Sequence, residues 1–372
     1  MNTSQKILLL TPSLEVGGAE RQLVSLAGCL QGRGHDVHVA LFRRQGALLE
    51  DLPEEVWTHD LEKQGRLDFF GFMLRLRKLV QNVRPDVIYS FLGVPNLATV
   101  LLKMSGVHVP IVWSVRASDV DLSHYGWLPR ACCAVEALLS RFADHIVVNS
   151  NAGREHSIGQ GFSHKVMSVV FNGIDTNRFK PNSASGALLR EQWRPDRTGI
   201  LVGIVARLDP LKDHPTFLRA AKLALHQNPD LCFVCIGDGP LGDQLKELAD
   251  QFGLSENLVW AGVHSDMPAV YNALDFLCLS SITEGFPNVL GEAMSCGVPC
   301  VTTDVGDAAY EVGGTGLVVP KSNPEAMAEA ILAMAERVRN GEIPDTRARI
   351  EEYFSLERMV RDTEKILFEV LL

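Results

Sequence analysis

The chain predicts an α/β architecture made of two Rossmann-like units in tandem. Three observations carry that prediction. Short apolar runs alternate with amphipathic stretches of helical period, the pattern of parallel sheets. The alternation breaks around 181–197 and then starts again. At 372 residues, the chain is also too long for one compact core and about right for two domains.

In the first series, Lys6–Pro12 reads as a strand, followed by a loop containing Gly17 and Gly18. A helix then carries Leu23, Leu26, Ala27 and Leu30 on one face and stops at Gly34. Asp36–Phe42 is the next strand and Phe69–Val83 a helix ending before Arg84-Pro85. Asp86–Phe91, Pro110–Val115, His145–Asn149 and Val166–Phe171 read as strands, with Pro129–Ala143 helical between them. Asn182-Ser-Ala-Ser-Gly186 and Arg194-Pro-Asp-Arg197 have the texture of a linker.

The second series opens with strand Gly199–Ala206 and helix His214–His226, for which Asp213 is the N-cap and Pro215 lies in the first turn. Strand Leu231–Ile236, the turn Gly237-Asp-Gly239-Pro240 and helix Leu241–Phe252 follow. Leu258–Ala261, Phe276–Ser280 and Cys300–Thr303 are the remaining core strands, and Asn323–Arg339 and Leu356–Leu372 are helical. The expected division is therefore 1–180, a linker at 181–198, 199–352, and a helical segment 353–372 returning to the first domain.

Composition excludes several classes. The net charge of −10 argues against a nucleic-acid binder. Through Arg178 there are 18 basic against 17 acidic residues, and afterwards 17 against 28, so the two halves face different surroundings. No stretch approaches the ~20 apolar residues of a membrane span. Ile7–Leu10 is too short for a signal sequence, and no small-residue cleavage site follows it. Eight cysteines lie mostly among apolar neighbours, and Cys232-x-x-Cys235 lacks a second ligand pair at zinc spacing. Reduced cysteines and a cytoplasmic location are expected.

Three segments could carry chemistry. Gly17-Gly18 precedes a helix and reads either as an anion cradle or as a plain tight turn. It is not the Gly-x-Gly-x-x-Gly dinucleotide fingerprint. Arg207 and Lys212 follow a strand and suit a diphosphate, a planar fork paired with a point charge; the alternative is a solvated loop. Glu284-Gly-Phe-Pro-Asn-Val-Leu-Gly-Glu292 starts after another strand. Pro287 would fall in a first helical turn and Gly297 would end the helix, leaving amides of Asn288 and Val289 for phosphate. The bland alternative makes Glu284 a capping acid and Glu292 a solvated helix residue.

Together these segments resemble the retaining glycosyltransferases of family 4, enzymes of the GT-B fold with two Rossmann-like domains facing across a cleft. Glu284-x7-Glu292 carries the likeness most specifically. Asn172-Gly-Ile-Asp175, Arg207…Lys212, Gly237-Asp-Gly239 and Gly17-Gly18 stand in family order, so the resemblance spans nearly the whole chain. It implies that Arg207 and Lys212 hold the donor diphosphate, Glu284 contacts the transferred sugar and Glu292 holds the ribose. Gly17, Gly18, Gly237, Gly239, Asn288 and Val289 would line the donor site, with Val263 near the base. Arg116 stands where many members carry histidine. It reads equally as a donor or acceptor contact, alongside Asn172, or as a partner of Asp119.

The resemblance further implies a nucleoside-diphosphate sugar as donor, UDP favoured over GDP, and no metal cofactor. Asp119-Val-Asp121 has metal-site spacing but reads as a loop. The acceptor would be a hydroxyl on a lipid-linked or growing surface glycan, as in polysaccharide or lipopolysaccharide synthesis. The alternatives are a nucleotide-sugar epimerase on the same plan and a non-catalytic glycan- or nucleotide-binding protein. The joint presence of Arg207, Lys212, Glu284 and Glu292 speaks against the last. The helix Phe69–Val83, with Arg75, Arg77 and Lys78 and the adjoining Arg84, reads as a core helix whose basic face could also meet anionic lipid at the inner face of the membrane.

Overall fold

Four consecutive buried aliphatics, Ile7 to Leu10, suit a strand covered on both faces. In the computed structural model, which describes residues 4–65, 67–116, 127–194 and 199–372, they lie in β1 (Lys6–Thr11). Around β1 runs an all-parallel sheet with β2 (Asp36–Leu41), β3 (Trp57–Asp60), β4 (Val87–Phe91), β5 (Ile111–Val115), β6 (His145–Val148) and β7 (Met167–Val169). Its order is β3-β2-β1-β4-β5-β6-β7. Ile7 and Leu9 point to the face covered by α1 (Gly18–Gly32) and α14 (Leu356–Glu369), while Leu8 and Leu10 meet Phe72 and Leu76 of α2 (Phe69–Val83). Helices α3 (Gly93–Met104), α4 (Trp127–Leu139) and α5 (Asn151–Gly159) complete this unit, which comprises Met1–Gly173 and Leu356–Leu372.

The second unit, Ile174–Ser355, repeats the plan. Its sheet joins β8 (Ile200–Val205), β9 (Leu231–Ile236), β10 (Leu258–Gly262), β11 (Phe276–Leu279), β12 (Cys300–Thr303) and β13 (Leu317–Val319) in the order β10-β9-β8-β11-β12-β13. Helices α7 (His214–Gln227), α8 (Gly242–Gln251) and α12 (Pro324–Asn340) bury apolar faces on it. Helices α9 (Met267–Ala273), α10 (Asn288–Ser295), α11 (Ala308–Val312) and α13 (Thr346–Tyr353) cover the rest. Both sheets are doubly wound, so strand order reverses between β1 and β4 in one and between β8 and β11 in the other. Ligands in such sheets bind at that switch point, outside the carboxyl ends of the strands.

Two expectations are corrected. The segment expected to link the domains is a helix, α6 (Ser183–Trp193), of the second unit; 195–198 lie outside the described residues. Its polar start is a cap, because Asn182 accepts from the Ser185 amide at 3.3 Å. Gly186 lies against the α9 backbone, where a Cβ would come within 2.3 Å of Asn272, so the small residues serve helix contact. Arg190 pairs with Asp275 at 2.8 Å and Trp193 is buried.

The division between units also falls earlier than 180, at Gly173 and Ile174. Ser295 donates to the Phe179 carbonyl at 2.6 Å, and Arg347 to the carbonyls of Phe179 and Thr176 at 2.9 Å, fastening 174–180 to the second unit. At the other end the first unit resumes at Leu356 rather than 353.

Candidate functional site

The switch point of the second sheet is flanked by the loops that carry the predicted residues. After β8, Asp209 accepts from the Leu211 amide at 2.9 Å and initiates a single 3-10 turn, Pro210–Lys212. Asp213 adopts a left-handed φ of +44°, reversing the chain into α7, where it accepts from Thr216. That reversal directs Lys212 across to the loop after β11. Its Nζ lies 2.5 Å from Oε1 of Glu284, which also accepts from Ser281 Oγ at 2.7 Å. Ser280 Oγ donates to the Lys212 carbonyl at 2.7 Å and the Ile282 amide to the Leu211 carbonyl at 2.9 Å, binding the two loops into one structure. Arg207 remains 71% exposed, with Asp209 4.0 Å away.

Helix α10 begins at Asn288 with Val289 next, and its N-cap residue, Pro287, supplies no capping side chain; because the helix follows the loop after β11, its positive N-terminal end lies on the switch-point side of the sheet. Pro287 precedes the helix instead of lying in its first turn, and Gly297, at φ +81°, follows its end. Glu292 is not a solvated helix residue, since buried Tyr271 donates to its Oε2 at 2.6 Å. Burial and the Glu292 charge push the Tyr271 hydroxyl well above its ordinary range, which keeps it a donor. The sequence reasoning missed Tyr271; a lone hydroxyl in the apolar α9 was the only signal. Gly237 takes φ +137°, and a Cβ there would meet the Ala206 carbonyl at 2.0 Å; one on Gly239 would meet the Leu208 carbonyl at 2.5 Å, so this turn supports the Arg207 loop. Val263, just after β10, is 77% exposed. Beneath the Lys212 loop lies His214, with both ring nitrogens lacking partners among the described residues. Burial pushes its pKa down to about 4, and Lys212 adds to the lowering against Asp209 and Asp213.

In the first unit, Gly17 is the residue before α1 and Gly18 its first helical residue, placing both at the β1 side of the switch point. Arg116 follows β5. It donates to Asn172 Oδ1 and, at 2.9 Å, to Ser114 Oγ, and it stacks 5.3 Å from the Phe91 ring. The structure thus brings Arg116 and Asn172 together. Asp119 and the Asp119-Val-Asp121 spacing lie outside the described residues.

Helix α2 buries Phe72, Leu76, Val80 and Val83, as a core helix does. Its basic residues are not equivalent, however. Arg75 is held by Asp68 and by the Leu61 and Glu62 carbonyls. The helix also leaves Phe70 and Leu74 outside, 80% and 69% exposed, and Leu67 just before it is 98% exposed. Beside them lies a cleft lined by Arg43, Arg44 and Lys63, with Asp60 and Glu62.

Enzymes of the GT-B plan are the class to which these paired, doubly wound sheets belong. The structure of Anabaena Alr3699/HepE in complex with UDP shares the fold at a TM-score of 0.84, with 24% identity, covering 98% of this chain and 100% of that one. Sucrose-phosphate synthase from Thermosynechococcus elongatus does so at 0.81, with 17% identity, covering 98% and 99%. The profile described as Glycosyltransferase Family 4 matches residues 16–178, and that described as Glycosyl transferases group 1 matches 199–337. The chain belongs to glycosyltransferase family 4, and it is a glycosyltransferase. A Campylobacter jejuni relative, N-acetylgalactosamine-N,N'-diacetylbacillosaminyl-diphospho-undecaprenol 4-alpha-N-acetylgalactosaminyltransferase, is 27% identical over 346 residues, 89% of this chain and 90% of its own. An Escherichia coli UDP-Gal:alpha-D-GlcNAc-diphosphoundecaprenol alpha-1,3-galactosyltransferase is 28% identical over 245 residues, 63% of this chain and 61% of its own.

Proposed function

We propose that the chain transfers a sugar from a UDP-sugar to a hydroxyl of a lipid-linked glycan, with retention of anomeric configuration and no metal ion. The observation that carries this reading is the Lys212–Glu284 pair beside the N-terminus of α10 at the β8/β11 switch point. Lys212, Arg207 and the α10 amides of Asn288 and Val289 supply positive potential for a diphosphate. Glu284 takes sugar hydroxyls, Glu292 is oriented by Tyr271 toward a ribose, and Val263 offers an apolar surface to the base. Gly17 and Gly18 at the start of α1 suit the distal phosphate, and Arg116 with Asn172 the sugar or acceptor. Support for UDP over GDP comes from the HepE complex and from the UDP-Gal donor in the E. coli relative's name; both named relatives act on diphosphoundecaprenol-linked glycans.

Since no carboxylate in these motifs stands out as a nucleophile, attack on the same face as the departing diphosphate is the mechanism we favour. Incubation with UDP-hexoses and an undecaprenyl-diphosphate glycan in EDTA should release UDP only when acceptor is present, and yield an α-linked product from an α-configured donor. An inverted product would overturn retention, and dependence on added Mg²⁺ or Mn²⁺ would overturn the metal-free reading. UDP release without acceptor, epimerised donor, or nucleotide binding with no turnover would overturn transfer.

A lipid-linked acceptor calls for membrane contact, and the exposed end of α2 supports it. Leu67, Phe70 and Leu74 can enter the headgroup region, while Lys78, Arg77 and the Arg43–Arg44–Lys63 cleft attract anionic lipid. Arg75, being paired, contributes little. In co-sedimentation with anionic vesicles, changing Leu67, Phe70 and Leu74 together to Ser should weaken binding about tenfold or more, because each exposed apolar side chain gains on the order of 1 kcal/mol on burial. Lys78→Ser should steepen no salt dependence and only reduce it, and Arg75→Ser should leave binding nearly unchanged. Equal binding to neutral vesicles would favour a soluble acceptor.

A further inference from the structure

Glu311 is a charged residue type in a place where a charge cannot be sustained. It sits on α11, 0% exposed, and neither carboxyl oxygen makes a well-formed hydrogen bond among the described residues; the Gly291 amide of α10 approaches it and favours the charged form, but less than burial disfavours it. It packs on α10 at Gly291, where a Cβ would lie 2.7 Å from its Oε1, and Gly291 is the residue before Glu292. The ionisable groups around it do not compensate. Glu284 in the loop after β11, Glu292 on α10 and Asp307 at the start of α11 all raise its pKa, and Cys300 on β12 is a thiol that burial keeps neutral. Arg349 on α13 donates to the Glu311 and Tyr310 carbonyls, and its guanidinium stacks on Tyr310, Tyr353 and Phe354. An isolated buried carboxylate costs so much desolvation that the group takes a proton instead. Burial, reinforced by those three acids, pushes the Glu311 carboxyl well above its ordinary range.

We propose that Glu311 serves the donor site as an uncharged carboxylic acid: a positioning residue that supports the α10 turn carrying Glu292 without adding a third negative charge beside Glu284 and Glu292. The inference rests on the reading of those two residues as donor ligands. It assigns Glu311 a role no ligand-facing residue could fill, since it lies under the helix whose N-terminus meets the diphosphate. A carboxylate there would weaken the helix's positive potential just where an anion must bind.

Three arms test it on the full-length protein. Infrared spectra near neutral pH should show the C=O stretch of a neutral carboxylic acid in the wild type and lose it in Glu311→Gln. Addition of UDP should shift that band, because the nucleotide and Glu311 share α10. Glu311→Gln, which keeps shape and neutrality, should leave kcat and KM within about threefold, whereas Glu311→Ala should raise KM for the donor more than it lowers kcat. The melting temperature of Glu311→Gln should also gain on the wild type as pH rises above the ordinary carboxylate value. A raised folded-state pKa means the folded chain holds more protons than the unfolded one there, so wild-type stability falls with pH. A missing band, or one indifferent to bound UDP, overturns the proposal. Failure of UDP to bind the wild type at all overturns the donor-site reading instead, and the band in unliganded protein still decides the protonation.

Discussion

Replacing Lys212 by Ala is expected to lower kcat by about 10²–10³-fold while weakening UDP binding by no more than about tenfold. Negative charge grows on the diphosphate as the sugar leaves it, so a cation held in place beforehand is worth more in the transition state than in the ground state. Lys212 is held in place. The Asp209-capped turn, the Ser280 hydroxyl on its carbonyl and the Glu284 carboxylate 2.5 Å from its Nζ together fix both ends of the side chain. Glu284 satisfies the ammonium; on the proposed reading, a bound diphosphate would give it a second acceptor and free Glu284 to meet sugar hydroxyls. Glu284→Gln should therefore share part of the loss, and the double variant Lys212→Ala/Glu284→Gln should be less impaired than the two effects added, because the pair is in direct contact. Arg207, exposed and 4.0 Å from Asp209, should cost less when replaced by Ala. Steady-state kinetics beside calorimetric UDP titrations separate the terms. Equal losses in kcat and affinity would make Lys212 a simple binding residue and end the argument for leaving-group stabilisation.

What could be read from the sequence was what local chemistry dictates. The limits of β9 and β12 were legible because apolar runs end at turn residues. Asp213 was legible as a cap because Asp before His-Pro admits few other conformations, even though its left-handed φ was not foreseen. Arg207, Lys212 and Glu284 were read in loops at strand ends and Glu292 in the helix that follows, yet the contact of Lys212 with Glu284 was invisible, since residues 72 positions apart meet only through the strand order. Tyr271 and Glu311 were missed for the same reason. Each looks ordinary in its own helix and acquires meaning from α10 packed against it. α6 was mistaken for linker because its cap and small residues have the composition of a loop, and only α9 reveals them as a contact surface. Likewise β3 (Trp57–Asp60) lacks a buried apolar face, so nothing in its side chains announces a strand; its place comes from backbone pairing with β2. Arg75 read as a surface cation until Asp68, seven residues away, was seen to hold it.

Removing the carboxylate of Glu364 should destabilise the first unit by about 3 kcal/mol, since breaking a partly buried ion-pair cluster leaves its partners uncompensated. Glu364 lies on α14, the segment that joins the first unit from the far end of the chain. Its two oxygens have separate partners: His35 at 2.8 Å and Arg33 at 2.6 Å, with Arg33 also reaching Glu357 at 2.5 Å. The backbone N–H of Gln5 donates to His35 Nδ1 at 3.2 Å, so the ring proton sits on Nε2 and points at Glu364. One carboxylate therefore ties α14 to the end of α1 and to the start of β2, supplementing the apolar contacts of Met359, Val360 and Leu367. For Glu364→Ala, the calorimetric transition of this unit should fall by roughly 6–12 °C near neutral pH, at about 2–4 °C per kcal/mol. Glu364→Gln should lose less than Glu364→Ala, because its single amide oxygen still accepts from one of the two donors, while its NH2 is left facing the other. The pH dependence gives a second check. Burial alone would raise the Glu364 pKa, but the hydrogen bonds from His35 and Arg33 and the Arg33 charge outweigh it and hold the carboxyl below its ordinary range. A depressed folded-state pKa contributes stability that is complete above the unfolded value and is lost as pH falls through the folded one. The gap between wild type and Glu364→Ala should thus be widest at neutral pH and narrow on acidification below the usual carboxylate range. A gap that stays constant down to that pH would mean that α14 is held by Met359, Val360 and Leu367 alone, with the carboxylate a bystander.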